Sequence, residues 1–180
     1  FMYGWRRLMH ENDFLWRWFH QMHHSAERID AAGAFYFSPT DMVGWTLLGS
    51  LALVWAVGIT PEAVVVTNVV VTFFAIFTHA NIRTPQWLGY FVGRPEMHAV
   101  HHERGFHSHN YCDIPLIDML FGTYSNPKTF EGVGGFYDGA SSRVVDMLLG
   151  RDVSSPPESD RARLRLGSDR TTPSMTDLAA

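Results

Sequence analysis

The sequence predicts an all-α integral membrane protein: a transmembrane hairpin carrying a histidine-rich, metal-binding cap that faces the cytoplasm. Three observations predict it. Met42 to Thr60 and Ala63 to Ile82 are back-to-back runs without a charged residue, each close to the ~20 residues that cross a bilayer. The spacing H-x-x-H-H occurs twice, at His20, His23 and His24 and again at His98, His101 and His102. Arginines flank the hairpin on the histidine side (Arg17, Arg28, Arg83, Arg94), whereas the connecting turn holds no Lys or Arg, and the positive-inside bias then places the histidines in the cytoplasm.

The bounds agree with this class. A chain of 180 residues suits one domain. Its first residue is Phe, and it is read as a fragment. Early Arg6, Arg7, His10 and Glu11 argue against a secretory signal at this end. A net charge of −4 gives no support to nucleic-acid binding. The single cysteine, Cys112, excludes an intrachain disulfide and a thiolate cluster, so a metal must be held mainly by nitrogen and oxygen. Cys112 itself is expected to be a small buried residue. Mean hydropathy near zero averages very unlike segments.

Residues 1–28 are aromatic, basic and rich in histidine, which predicts one or two helices near a membrane surface. Gly33, Ser38, Pro39 and Asp41 mark a loop with a helix start at its end. The hairpin follows, about 42–82, broken at Thr60-Pro61-Glu62. Two crossings return the chain to the side it left, so histidines before and after the hairpin share one face. Pro85, Gly89, Gly93 and Pro95 predict an interfacial connection leading into the second box. Gly132, Gly134, Gly135 and Gly139 do not follow a strand and lack G-x-G-x-x-G, which argues against a nucleotide loop. Ser141 to Leu149 predicts a short closing helix stopped by Gly150. Residues 1–150 are then one domain, and 151–180, with Pro156, Pro157 and scattered charge, a disordered tail.

On an α-helix, positions i, i+3 and i+4 fall within about a 100° arc, so the three rings of each box lean the same way. Two three-histidine faces are what a metal centre built from neutral imidazole needs. His107 and His109 lie just beyond the second box, able to ligate or to hydrogen-bond to the centre. Glu96, Glu103, Asp113 and Asp118 are the acids placed to orient imidazole N–H groups.

These motifs together resemble the fatty acid hydroxylase/sterol desaturase superfamily. The likeness rests on Phe14-Leu15-Trp16-Arg17 before His20-x-x-His23-His24-Ser25, on His79-Ala80-Asn81-Ile82-Arg83, on Pro95-Glu96-Met97-His98-x-x-His101-His102, on Asn110-Tyr111, and on Asp118-x-Leu120-Phe121-Gly122-Thr123-Tyr124. It covers residues 1 to about 137. It implies two iron ions (with zinc able to occupy the site in isolated protein), O2 as co-substrate, and hydroxylation or desaturation of a fatty acyl chain or sterol drawn from the bilayer. The implied metal ligands are His10, His20, His23, His24, His79, His98, His101 and His102, with His107 and His109 in reserve. The chain has no flavin, haem or nicotinamide motif, so a separate redox protein is expected to supply electrons.

One departure bears on activity. The family's first box, H-R-x-x-H, falls on Arg6-Arg7-Leu8-Met9-His10, with arginine at its first ligand position. A guanidinium has no lone pair to donate to a metal. Arg6 is expected to swing to the headgroups or to pair with Glu11 or Glu96, leaving one metal held more weakly. The alternative reading is a non-catalytic family member that binds metal or lipid.

Overall fold

The computed structural model describes residues 1–158. Among them every regular element is helical, and strand pairing is limited to one isolated bridge between Glu103 and Gly134. Helix α1, Met2–Glu11, ends at Asn12, whose side chain accepts a hydrogen bond from the Leu15 amide and starts the next helix. That helix, α2, runs over 13–24 with a π-helical stretch at Trp16–His20, a local widening that recurs at functional sites.

Helix α3 begins at Pro39 with Ser38 as its N-cap, the polar-cap-then-proline order that favours a helix start. It continues through a π-helical last part, Leu51–Val57, and stops at Gly58, which is left-handed at φ 72°. Helix α4, Pro61–Thr78, is capped by Thr60. The hairpin turn is therefore Gly58-Ile59-Thr60 rather than the expected Thr60-Pro61-Glu62. Pro61 and Glu62 occupy the first turn of α4, where a proline lacks no needed N–H and an acid meets the helix dipole favourably. The second crossing also ends earlier than Ile82, at Thr78, which leaves His79 as the helix cap.

Both crossings are long and apolar enough to span a membrane, and only 11 % and 6 % of their most apolar windows is buried. A core helix of a soluble protein would be mostly covered; here Leu47, Trp55, Val66, Val69 and Phe73 stand exposed. Exposed apolar helices of this length match the hairpin expected of a membrane protein.

Helix α5, Pro95–His101, carries the second box. Its approach is fixed by Arg94, which is fully buried. The guanidinium donates to the Thr84 hydroxyl and carbonyl, to Asn126 Oδ1 and to the Pro127 carbonyl, and it pairs with Glu96 at 3.0 Å. A buried cation with every donor engaged locks residues 84–96 against 126–127. Arg94 is thus a structural tie and adds nothing to the surface charge around the hairpin.

Helix α6, Pro115–Phe121, ends at left-handed Gly122. Buried Asp118 accepts from the Tyr111 and Cys112 amides and from the Thr123 hydroxyl, so it folds this corner and does not touch an imidazole. Cys112 is only partly buried.

Helix α7, Val144–Leu148, lies within the expected 141–149, with Gly150 at φ 67° after it. Met22 on α2 packs with Phe136, Ala140, Met147 and Val153. Gln21 donates to the Arg151 carbonyl and accepts from the Val153 amide. The chain stays docked against the back of the first box through Val153. The part of the expected tail from residue 159 onward lies outside the described residues.

Candidate metal centre

Eight imidazoles converge at the end of the hairpin opposite its turn. They form two groups, His10, His20, His24 and His101, and His23, His79, His98 and His102; within each, one nitrogen per ring lies within 4.8 Å of all the others. All eight ligands expected from the sequence are in these groups.

The boxes do not each serve one group. The first gives His20 and His24 to one and His23 to the other; the second gives His98 and His102 to one and His101 to the other. Helix geometry explains the division. Relative to position i, i+4 lies about 40° round the axis and i+3 about 60° the other way. The rings share an arc, as expected, but its two edges face different neighbours. His24 and His102 meet at the seam, stacked with centroids 4.1 Å apart.

The nitrogens fit a cation. His10 Nε2, His20 Nε2, His24 Nε2 and His101 Nε2 are buried without a hydrogen-bond partner, and so is His23 Nδ1. In the second group, His98 Nε2 lies 3.1 Å from His79 Nε2 and 3.0 Å from His102 Nε2. Tetrahedral imidazole ligation at ~2.0–2.1 Å places nitrogens about 3.3 Å apart. Five orphaned buried nitrogens would be costly in a finished protein interior; a metal in each group would satisfy them.

The opposite ring nitrogens are held from behind. His20 Nδ1 meets Asp41 Oδ2 at 3.1 Å, His79 Nδ1 donates to the Ala75 carbonyl at 2.8 Å, and His101 Nδ1 donates to the His109 carbonyl at 2.7 Å. His24 Nδ1 lies 3.1 Å from His107 Nδ1. A donor on one nitrogen fixes the lone pair on the other, which aims it at the centre.

The rings are neutral. Burial pushes His10, His23, His24, His98, His101 and His102 well below the ordinary imidazole value, with neighbouring imidazoles and Arg6 acting in the same direction on most of them. Burial lowers His20 to about 3 and His107 to about 4.

The acids expected to orient the rings are engaged elsewhere. Glu96 binds Arg94 and Thr84, Asp118 caps the 111–123 corner, and Asp113 faces Arg6; Glu103 is tied to Gly134 through its backbone, with its carboxylate beside Gly132. The orienting acid is Asp41, fully buried in the first turn of α3. In the sequence it read only as part of a helix start. Backbone carbonyls do the rest: that of Ala75 from the last turn of α4, and that of His109 from a strained loop in which His107, His109 and Asn110 all have positive φ (43°, 66° and 49°). Asn110 holds that loop, donating from Nδ2 to the Met97 carbonyl and accepting the Ser125 amide. His109 thus contributes its carbonyl, while its ring stacks on Phe106 and bonds Ser108.

Arg6 takes neither expected partner. Glu11 is held by Arg7 at 2.7 Å, one helix turn away on another face of α1, and Glu96 is held by Arg94. The Arg6 guanidinium instead lies 5.6 Å over the Trp45 ring, with Nη1 3.9 Å from Asp113 Oδ1 and buried without a hydrogen bond.

A membrane hairpin whose end carries eight convergent histidines defines a class of membrane-bound histidine-box protein. The chain belongs to the fatty acid hydroxylase family: the fatty acid hydroxylase model matches residues 1–123. Among curated relatives it is 29 % identical over 126 residues to the very-long-chain aldehyde decarbonylase GL1-9 of Oryza sativa subsp. indica, covering 66 % of this chain and 47 % of that one. It is 25 % identical over 131 residues to the sphingolipid C4-hydroxylase sur2 of Schizosaccharomyces pombe (71 % and 45 %), and 28 % identical to the sphingolipid C4-hydroxylase SUR2 of Saccharomyces cerevisiae (69 % and 36 %). The chain therefore spans less than half the length of these relatives. No solved structure matches it.

Proposed function

We propose that this chain is an iron- and O2-dependent oxidoreductase that hydroxylates or desaturates a membrane lipid, a fatty acyl chain or a sterol. The observation that carries the reading is the pair of four-imidazole groups at one end of an apolar hairpin. The names of the relatives, a decarbonylase of very-long-chain aldehydes and two sphingolipid hydroxylases, support long-chain lipid as the substrate class.

Two iron ions are assigned, one to each group, and zinc can take their place in isolated protein. Bound iron supplies O2 activation and the removal of hydrogen from an unactivated C–H bond. The chain's own residues do the rest. Eight neutral rings hold the metals without clustering carboxylates beside hydrocarbon, where their desolvation would be costly. Asp41 and the carbonyls of Ala75 and His109 keep three of those rings in one orientation. The hairpin meets the cap at Asp41 and His79, so a lipid chain reaches the histidines from the bilayer side. Arg17, Arg28 and Arg83 on the histidine side and none in the turn favour a cytoplasmic cap. Electrons come from a separate redox protein.

A second reading is a non-catalytic member that binds metal or lipid, favoured by the part-buried cation Arg6 where the family's first box has histidine. Lipid mass spectrometry of cells expressing the full-length protein distinguishes the two. The oxygenase reading predicts lipids that have gained one oxygen or lost two hydrogens, and their disappearance with His101→Ala. Unchanged lipids together with bound metal and no oxygen uptake would establish the second.

A further inference from the structure

The glycine-rich segment 132–139 lies outside the residues that match the family model and plays no part in the reading above. Its place in the structure is specific. Gly135, at φ 78°, runs against the chain just after the first box: a Cβ there would stand 3.0 Å from Glu27 Cα, 3.0 Å from the Ser25 carbonyl oxygen and 3.1 Å from that of Ala26. These are backbone atoms with little room to give, so only glycine fits. The neighbouring Phe136 packs edge-on against the His107 ring at 5.0 Å, and Trp16 flanks the same ring at 5.8 Å. His107 Nδ1 lies 3.1 Å from His24 Nδ1, and the Gly135 backbone acts favourably on a proton of the same ring.

Two ring nitrogens facing each other can share only one proton. His24 Nε2 is one of the orphaned nitrogens of the His10 group, and a lone pair there requires the proton on His24 Nδ1. His107 Nδ1 is then the acceptor, and its proton sits on Nε2, where it can be given to a carbonyl such as that of Gly135.

From this we infer that His107 is a positioning residue, not a replacement ligand: seated by the glycine loop at Gly135, it accepts the His24 Nδ1–H and fixes the lone pair of His24 Nε2 on the metal of the His10 group. The C-terminal segment, which lies beyond the matched family region, thereby completes one metal group and leaves the other alone. The inference rests on the proposed metal reading but not on the metal's identity or on turnover.

The test uses the described chain, purified in detergent and titrated with zinc against a chelator. His107→Leu should weaken one of two bound zinc ions by about tenfold or more, the usual cost of losing such a partner, and leave the second unchanged. His107→Asn, whose amide oxygen can accept the same hydrogen bond, should recover most of the loss. Gly135→Ala, which displaces the loop, should weaken the same ion. Equal loss in the Leu and Asn variants, no loss in either, or weakening of both ions would overturn the inference. A measurement on the unsubstituted chain decides the case even if variants fail to fold. Imidazole 15N spectra should show His24 protonated at Nδ1 and His107 at Nε2; His107 protonated at Nδ1 would overturn the assignment. If the chain binds no zinc, the metal reading fails, and the same spectra of the metal-free protein still decide the His24–His107 arrangement.

Discussion

His20 Nδ1 lies 3.1 Å from Asp41 Oδ2, and both side chains are buried. This contact joins the first histidine box to the first turn of the hairpin, so the membrane element and the metal centre share one polar anchor. Asp41→Asn keeps an acceptor for the His20 N–H and should change metal affinity little. Asp41→Ala removes it, leaves a buried donor unsatisfied at a cost of about 1–3 kcal/mol, and frees the His20 ring to turn. Zinc affinity of the His10 group should fall about tenfold or more. Equal affinity in the Ala variant and the original chain would remove Asp41 from the orienting role.

Arg6 places a cation close enough to act on imidazoles of both groups, lowering the proton affinity of His10, His20, His23, His98 and His101. The same field opposes a metal ion. Arg6→Gln should therefore tighten zinc binding several-fold, while the number of ions stays unchanged because each group has four rings without position 6. Weaker binding in the Gln variant, measured by chelator competition, would mean that Arg6 acts through its contacts with Asp113 and Trp45 and not through its charge.

Acid should destabilise the metal-free chain. An unfolded histidine titrates near about 6.5, whereas the buried rings are held well below that, His20 at about 3 and His107 at about 4. Between those values the unfolded chain binds more protons than the folded one, so stability rises with pH across the window and is lost as pH falls from about 6.5. The unfolding temperature in detergent should be level above pH 7 and drop steadily toward pH 5. A level profile down to pH 5 would show that the rings titrate normally and are not buried as described.

Topology is open to direct labelling. In a background without Cys112, a cysteine at Glu62 should react with an impermeant reagent from outside the cytoplasm, and one at Ala26 should not. Reaction of both from the same side would dissolve the hairpin.

The convergent histidines were legible in the sequence, six through the helical spacing of the two boxes and His10 and His79 through the family resemblance, and the hairpin because two uncharged runs of bilayer length are hard to place elsewhere. How the boxes divide was not, since a shared arc does not say which neighbour meets each of its edges. Asp41 was hidden because an acid at a helix start is ordinarily a cap, and its approach to His20 arises only when α2 and α3 pack. The carbonyls of Ala75 and His109 carry no side-chain signature at all. Gln21 stands between histidines and reads as filler, yet its side-chain amide docks residues 151–153, donating to the Arg151 carbonyl and accepting from the Val153 amide, a contact no local pattern announces.

If the eight histidines form two separate metal sites, neighbouring His101 and His102 serve different ones. Metal content per chain measures this directly, on protein expressed with iron and analysed after purification. Two ions per chain are expected in the original protein, one in His101→Ala, one in His102→Ala, and none in the double variant. Two ions retained in either single variant, or complete loss in both, would contradict it.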